Sequence, residues 1–218
     1  MAEAAHRAWD LAGRLGTIGP GSRRGRRFGA MGFGSAIAFP RGPSFGERWV
    51  RIGEGTLLGP SVSIAVGLGP DEPLEPPDGW VVNVGDRCNI GRGSSIVARH
   101  RIEIGDDVTT GPNVYITDHN HSYADPGRPI GGQWPTVAPV RIGSGSWLAV
   151  GAVVLPGADI GRNVVVGAGS VVGGFVPDHS VVAGVPARVV RSLVAGAWEP
   201  PLRIPCTPQP ARPDDWPA

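Results

Sequence analysis

The chain has 218 residues, of which 35 are glycine, 23 are proline and only 18% are charged. So many helix-breaking residues, with so few charges, exclude a conventional amphipathic helical bundle. The net charge of +1 predicts no broad basic surface for nucleic acid, and no run of about 18 apolar residues is present that could span a membrane.

Residues 1–45 are predicted to be an N-terminal extension ahead of a repetitive region. Residues 1–16 predict a short helix with a loose apolar stripe, and they lack the apolar core of a secretory signal. The basic segment GSRRGRRF at 21–28 predicts a solvated linker, with contact to an anionic surface as the alternative. The two cysteines, Cys88 and Cys206, form no disulfide framework and no CxxC pair, which predicts a reducing, cytoplasmic location.

Aliphatic residues recur at every sixth position through the middle of the chain. A helix has a period near 3.6 and a strand a period of 2, so a period of six predicts a hexapeptide β-solenoid. Three six-residue faces then make one coil of 18 residues, with one inward side chain on each face. We therefore predict an all-β domain over residues 46–191. The longest repeat series are Ile142, Leu148, Val154, Ile160, Val166 and Val172, then Val84, Ile90, Ile96 and Ile102, then Ile104, Thr110 and Ile116.

Two excursions interrupt the period, and both are predicted to be extruded loops. The first covers residues 66–80, which are acidic and rich in proline, and the second covers 117–139. Long loops in compact repeat proteins often carry function, and the second contains two of the five histidines. Beyond Arg191 the prolines predict a non-helical tail at 192–218.

Four motifs in the repetitive region are specific enough to indicate a family. They are TGPNVYITDHNHSY (110–123), IGSGSWLAVGAVVLPGADIG (142–161), VVVGAGSVV (164–172) and VVAGVPARVVR (181–191). With them, residues 84–191 resemble the hexapeptide-repeat acyltransferase superfamily, in its maltose, galactoside and polysaccharide O-acetyltransferase branch. The resemblance implies a left-handed parallel β-helix, a homotrimer with its groove between subunits, and acetyl-CoA as acyl donor with no metal. It also implies acetyl transfer to a hydroxyl of a sugar or polysaccharide precursor.

The TDHNH motif places a general base at His119 by this resemblance. A hydroxyl has a pKa far above 7, so its attack on a thioester needs a base such as imidazole to take the proton. If the segment is extended, His121 shares a face with His119 and is the second catalytic candidate. Asp118 either caps the local turn or polarises an imidazole.

The same resemblance suggests residues for the CoA donor and for the acceptor. Backbone amides just after Trp147, near Ala149, are expected to hold the thioester oxyanion, and basic residues near the end of the repeats to contact the nucleotide. Gly173 and Gly174 stand where the family often has Thr-Lys, so one such contact is missing or supplied elsewhere. The predicted CoA residues are Trp147, Ala149, Ala168, Gly173, Arg188 and Arg191. The predicted acceptor residues are Asp118, Tyr123, Arg128 and Trp134.

Two other functions stay open at this point. One is a zinc protein like the γ-class carbonic anhydrases, with His100, His119 and His121 as the available histidines, although their spacing differs from the HxxxxH of that class. The other is a non-catalytic β-helix scaffold. Neither cysteine has a neighbouring histidine, and no GxSxG elbow or P-loop is present, so we expect direct transfer without an acyl-enzyme. The acceptor and the acyl chain length are left open.

Overall fold

The computed structural model describes residues 2–70 and 72–201. The predicted tail is therefore described only as far as residue 201, and Cys206 lies outside the described residues. One α-helix, α1, covers Ala2–Gly16, and short 3₁₀ helices cover Gly25–Arg27, Glu47–Trp49 and Ile130–Gly132. No helix in the described part of the chain is long and apolar enough to cross a membrane.

The strands are short and regularly spaced along the described residues. The first twelve are β1 (Ala30–Met31), β2 (Ala36–Ile37), β3 (Ser44–Phe45), β4 (Val50–Ile52), β5 (Leu57–Leu58), β6 (Ser63–Val66), β7 (Val82–Val84), β8 (Asn89–Ile90), β9 (Ser95–Ala98), β10 (Ile102–Ile104), β11 (Thr109–Thr110) and β12 (Tyr115–Thr117). The rest are β13 (His119–Asn120), β14 (Thr136–Val137), β15 (Val140–Ile142), β16 (Trp147–Leu148), β17 (Val153–Val154), β18 (Asp159–Ile160), β19 (Val165–Val166), β20 (Val171–Val172), β21 (Phe175–Val176), β22 (Ser180–Gly184), β23 (Ala187–Val194) and β24 (Ala197–Glu199).

Strands one coil apart pair in parallel, which produces three sheets and a three-sided solenoid. Sheet 1 is β1-β4-β7-β10-β15-β18-β21, and sheet 3 is β3-β6-β9-β12-β17-β20. Sheet 2 is β2-β5-β8-β11-β16-β19-β22, and the antiparallel strands β23 and β24 extend it. Each coil visits sheets 1, 2 and 3 in turn, as the six-residue period predicts.

The core is a column of inward aliphatic side chains. Every member of the series from Ile142 to Val172 is at most 1% exposed, and so is every member from Val84 to Ile102. Each buried aliphatic side chain stabilises the fold by about 2 kcal/mol relative to an exposed one. The hexapeptide period therefore identified the core correctly.

The solenoid extends beyond both boundaries that we predicted from the sequence. Strands β1, β2 and β3 already form a coil paired with the next one, so the solenoid begins near residue 30 rather than 46. This coil was missed because it is terminal, and its Met31 is only half-buried. Its open end is covered by Ile18 and Phe28 from the N-terminal segment, which are both buried. At the other end, β23 and β24 continue past residue 191 into the predicted tail.

Two corners of the solenoid position the residues of interest. The 2–3 corner follows each sheet 2 strand and includes residues 149–151 and 167–169. The 3–1 corner follows each sheet 3 strand and includes residues 99–101, 118–139 and 173–174. Both long loops leave the solenoid at the 3–1 corner, so they lie on one edge of the molecule.

Close stacking of the coils gives a testable requirement at Gly143. A Cβ there would lie 2.5 Å from the backbone carbon and oxygen of Gly161 in the next coil. We expect Gly143→Ala to lower the free energy of unfolding by about 2 kcal/mol, since backbone atoms must move apart. The control is Gly131→Ala, where a Cβ meets no atom within 4 Å, and it should change stability by less than about 0.5 kcal/mol. Equal losses in urea denaturation would contradict the stacking argument.

Candidate active site

The chain leaves sheet 3 through Asp118 and His119 at the start of the second loop. The His119 strand pairs antiparallel with Thr136–Val137, the returning end of the same loop. The ring Nδ1 of His119 lies 3.0 Å from Asp118 Oδ1, and the His119 side chain is 16% exposed. The imidazole is thus held on one side by a carboxylate and open on the other.

Asp118 is completely buried at the foot of this loop. Its carboxylate accepts hydrogen bonds from three consecutive backbone amides of the preceding coil: Arg99 at 2.8 Å, His100 at 2.7 Å and Arg101 at 2.6 Å. Burial by itself raises the pKa of Asp118, but the hydrogen bonds from His119 and from these amides outweigh it and hold the pKa below its ordinary value. The group is therefore an ionised acceptor at neutral pH.

An ionised Asp118 determines the tautomer of His119. A carboxylate can only accept, so His119 Nδ1 must carry the proton that they share. In the neutral imidazole, Nε2 is then the nitrogen with the free lone pair, and this is the atom that a general base uses. Of the two roles considered for Asp118, polarising the imidazole fits the geometry, and the amides it caps belong to the neighbouring coil. The prediction that Asp118 contacts the acceptor is wrong, because none of its surface is exposed.

His119 opens onto a pocket of about 300 Å³ between the two loops. The pocket brings together three residues predicted from the sequence, His119, His121 and Trp134, with Leu68 from the first loop. Its other lining residues are Gly131, Gly132, Gln133 and Pro135. The walls offer imidazole, amide and indole groups, which is a mixed polar and aromatic surface that suits a hydroxylated ligand.

Arg99 ties both loops to the solenoid, and sequence reasoning missed it. Its Nη2 lies 2.6 Å from Glu72 Oε1 in the first loop, and both side chains are 16% exposed. Its guanidinium carbon lies 4.6 Å from the ring centroid of Trp134 in the second loop. Trp134 therefore both lines the pocket and anchors its loop. Arg99 lies in the 3–1 corner of the coil between the two coils that carry the loops, and no periodic signal in the sequence marks its contacts.

Two other predicted acceptor residues are not brought to the pocket wall. Tyr123 is 79% exposed at the outer part of the loop. Arg128 donates from Nη2 to the carbonyl oxygen of Gly132 at 2.8 Å, so it braces its own loop. Neither side chain lines the pocket that contains His119.

The amides near Ala149, which were predicted to bind an oxyanion, differ in whether they are free to do so. The Ala149 amide donates to the Val166 carbonyl at 2.9 Å and is not available to a ligand. Within the described residues, the amides of Val150 and Ala168 have no hydrogen-bond partner, and both residues are exposed. The two positions are stacked one coil apart, since the Gly169 amide donates to the Val150 carbonyl at 2.9 Å. The 2–3 corner thus presents a short column of free N–H groups.

The remaining predicted CoA residues are distributed over different parts of the fold. Trp147 is half-exposed on sheet 2, close to the free amides. Arg188 is exposed on β23, whereas the Nε of Arg191 donates to the Pro200 carbonyl at 2.7 Å and its guanidinium lies over Trp198. Gly173 belongs to the 3–1 corner, so it is not grouped with the other predicted CoA residues.

His119 and the free amides lie on different corners of one chain. Sheet 3 separates the 3–1 corner of His119 from the 2–3 corner of Val150 and Ala168. A base and an oxyanion-binding amide must both lie within about 3 Å of the reacting atoms. One chain alone therefore does not complete the predicted site.

Metal-binding clusters and free thiols are two other kinds of reactive group that the described part of the chain could hold. No cluster of three or more His, Cys, Asp or Glu side chains there is arranged to hold a metal ion. Cys88 is buried in the core, burial raises the pKa of its thiol, and its Sγ lies 3.1 Å from the Gly105 carbonyl oxygen. Such a thiol is inert packing, as predicted.

Family comparisons match the repetitive region in two segments. The bacterial transferase hexapeptide (six repeats) matches residues 139–174, and the hexapeptide repeat of succinyl-transferase matches residues 81–118. A protein of Mycobacterium tuberculosis named "Probable acetyltransferase Rv3034c" is 42% identical over 53% of this chain and 38% of its own length. The galactoside O-acetyltransferase of Escherichia coli is 34% identical over 67% of this chain and 66% of its own. The chain thus spans less than two thirds of the length of these curated relatives.

Solved structures agree with the architecture. The hexapeptide-repeat acetyltransferase VCA0836 of Vibrio cholerae, in complex with acetyl-CoA, is 26% identical, with a TM-score of 0.50 over 78% of this chain and 73% of its own. AntD, an N-acyltransferase of Bacillus cereus, is 16% identical, with a TM-score of 0.64 over 78% of this chain and 85% of its own, which shows the fold alone. The chain is thus similar to members of the hexapeptide-repeat acyltransferase superfamily over its repetitive region, and the predicted left-handed parallel β-helix is confirmed.

The burial of Asp118 generates a pH-dependent stability prediction. Asp118→Asn removes a charged acceptor from three amides. We expect this substitution to lower the free energy of unfolding by about 3 kcal/mol at pH 7. The folded pKa lies below the unfolded one, so this contribution is complete above the unfolded pKa, about 3.9, and is lost as pH falls through the lower folded pKa. The difference between wild type and variant should therefore shrink below about pH 4.

The matched control for this prediction is Asp125→Asn in the same loop. Asp125 is exposed and its carboxylate accepts one amide, from Gly127 at 2.8 Å. We expect it to cost less than about 1 kcal/mol. Urea denaturation across the pH range measures both variants, and a loss at Asp118 that is no greater than at Asp125 would contradict the buried-acceptor interpretation.

Proposed function

We propose that this protein is an acetyl-CoA-dependent O-acetyltransferase that transfers an acetyl group to a hydroxyl of a sugar or polysaccharide precursor. The observation that carries the proposal is the imidazole of His119, which is fixed by a buried, ionised Asp118 and opens onto the pocket between the loops. Support comes from the galactoside O-acetyltransferases of Escherichia coli and Lactococcus lactis, which are 34% and 35% identical over the matched regions.

The proposed reaction is a direct attack without a covalent enzyme intermediate. His119 Nε2 takes the hydroxyl proton as the acceptor oxygen bonds to the thioester carbonyl carbon. The carbon–sulfur bond then breaks, and the leaving CoA thiolate takes the proton from the imidazolium. Asp118 stabilises the transient imidazolium while it keeps the ring in position, and it stays ionised throughout.

The 2–3 corner is proposed to hold the acetyl-CoA donor. The free amide of Val150 would bind the developing oxyanion, and that of Ala168 would bind the pantetheine arm one coil further along. Trp147 would form a wall of this groove, and the exposed Arg188 would contact the nucleotide phosphates. Acetyl-CoA bound to the Vibrio cholerae relative supports the choice of donor.

A homotrimer would complete the site by joining two corners from different chains. In a closed ring of three identical copies, the 3–1 corner of one copy can face the 2–3 corner of the next, which gives three equivalent sites. This arrangement brings His119 opposite Val150 and Ala168 without any change of fold. The cytoplasmic location predicted from the cysteine content stays a prediction.

The pocket is proposed to select the acceptor through Trp134 and His121. An exposed indole offers an apolar face to a sugar ring, and a second imidazole can bind a neighbouring hydroxyl. Both residues line the same pocket as His119. Hydroxyl acceptors are favoured over amines by the names of the galactoside relatives.

The first test is the substitution His119→Gln. Loss of a general base lowers kcat by about 10²–10⁴-fold, while binding of acetyl-CoA should be unchanged. CoA thiol release over a panel of sugars measures turnover, and calorimetric titration measures binding. The matched control is His100→Gln, an exposed histidine outside the pocket, which should keep turnover within twofold. If acetyl-CoA did not bind wild type at all, or if His119→Gln kept full turnover, the proposal would be wrong.

The shared site is tested by mixing two inactive variants. His119→Ala removes the base, and Ala168→Arg blocks the amide corner, so each trimer of a single type should be inactive. In trimers co-expressed from equal amounts, about one quarter of the sites combine an intact base with an intact corner. We therefore expect about a quarter of wild-type turnover in the unselected mixture, and about a third after purification by both tags, which removes the inactive trimers of a single type. No recovery would show that each site lies within one chain.

A further inference from the structure

Helix α1 presents two clearly different faces. On a helical projection, one half of the circumference is entirely apolar and the other carries every charged residue of the helix. The apolar half contains Leu11 and Leu15, which are 57% and 78% exposed. Its smaller members are Ala4, Ala5, Ala8 and Ala12, and the polar half holds Glu3, His6, Arg7, Asp10 and Arg14.

The solenoid covers only one edge of the apolar face. Trp9 lies at that edge, with its ring centroid 5.5 Å from that of Phe39, and Gly16 lies against the same phenylalanine. No residue of α1 is buried. A helix of 15 residues with this composition is marginal in water unless its apolar face is covered. The apolar face of α1 is therefore available for a partner.

A cluster of exposed arginines lies next to this face. Arg23, Arg24 and Arg26 are exposed, and none has an acidic partner among the described residues. Leu15, Arg23 and Arg24 line one open cavity of about 780 Å³, together with Arg41 from the first coil. The apolar end of the helix and the arginines thus border the same surface.

The charge of the chain is divided unequally along the sequence. Residues 1–48 contain eight arginines and three acidic residues, whereas the remaining 170 residues contain 12 basic and 16 acidic residues. The N-terminal part is therefore at +5 and the rest at −4, although the whole chain is close to neutral. This separation orients the N-terminal end toward an anionic surface.

We propose that α1, with Arg23, Arg24 and Arg26, forms a docking surface for an anionic lipid bilayer. The apolar half of α1 would enter the boundary between headgroups and acyl chains, with Leu11, Leu15 and Trp9 as anchors. The arginines would bind the lipid phosphates, and the solenoid would stay in water. Apolar exposure alone would fit several partners, but its position beside unpaired arginines selects a negatively charged membrane. The proposal does not depend on the acyltransferase reaction.

The experiment is vesicle sedimentation with the full chain. Vesicles of equal parts phosphatidylglycerol and phosphatidylcholine are compared with pure phosphatidylcholine, at about 50 mM and about 500 mM salt. We expect the partition coefficient on the anionic vesicles at low salt to exceed that on neutral vesicles by at least about tenfold, and to fall at high salt. Failure to bind anionic vesicles at low salt would overturn the proposal.

Two variants separate the apolar and the ionic contributions. Leu11→Glu with Leu15→Glu should lower the partition coefficient at least about tenfold, because charges enter the apolar face. Arg23→Gln with Arg24→Gln should lower it by about tenfold at low salt and much less at high salt. The matched control is His6→Glu with Gly13→Glu, which adds the same charge to the polar half, where a Cβ at Gly13 meets no atom within 4 Å.

The control variant and the oligomeric state show whether a membrane or a second copy of the chain covers the apolar face of α1. Equal losses in the control and in the leucine variant would mean that net charge alone governs binding, which would overturn the insertion of α1. A smaller assembly mass for the leucine variant without vesicles, measured by light scattering, would show that a second copy covers the helix, and would also overturn the proposal. An unchanged mass with loss of vesicle binding supports it.

Discussion

The fold depends on one repeated interaction, the parallel backbone hydrogen bonding between each strand and the equivalent strand one coil further along. Pairs such as Ile102 with Val82 and with Val140 join successive coils in register on sheet 1. A coil can enter this ladder only if one inward side chain per face is aliphatic and the corners accept close backbone contact. The six-residue period follows from that constraint, and so does the nearly uniform burial of the core series.

Asp118 replaces the backbone acceptors that are missing where the second loop interrupts this ladder. Where the chain leaves the solenoid, the amides of the preceding corner lose the coil that would otherwise follow them. The carboxylate takes over as acceptor for three of these amides, and its remaining interaction holds His119. One buried group therefore both closes a gap in the backbone hydrogen bonding and orients the proposed base. Buried polar groups that are fully satisfied in this way are rigid.

The sequence predicted the core and the position of His119, but not most of their connections. The core could be found because one inward residue in six leaves a direct trace in the sequence. The partners of Asp118 are residues 99–101, roughly one coil of 18 residues earlier, so the coil length would have indicated them. The repeat would also have indicated that the Ala149 amide donates a hydrogen bond to the next coil. The amide of Val150, one residue further into the corner, is the one without a partner among the described residues. The contact of Arg99 with Glu72 and Trp134 left no such trace, because it joins two loops without a period.

Both long loops leave the solenoid at the same corner, so the segments that line the pocket are separate from the coils that form the core. Each loop begins and ends at neighbouring points of the ladder, and doubling the length of a flexible loop costs only about 0.6 kcal/mol of closure entropy. The stability of the solenoid therefore depends little on the length of the inserted segment, as long as Asp118 still accepts its hydrogen bonds from residues 99–101. If the loops select the acceptor as proposed, an exchange of these segments would change acceptor specificity while the coils remain unchanged, and the solenoid would serve as a constant scaffold for divergent evolution or for loop grafting.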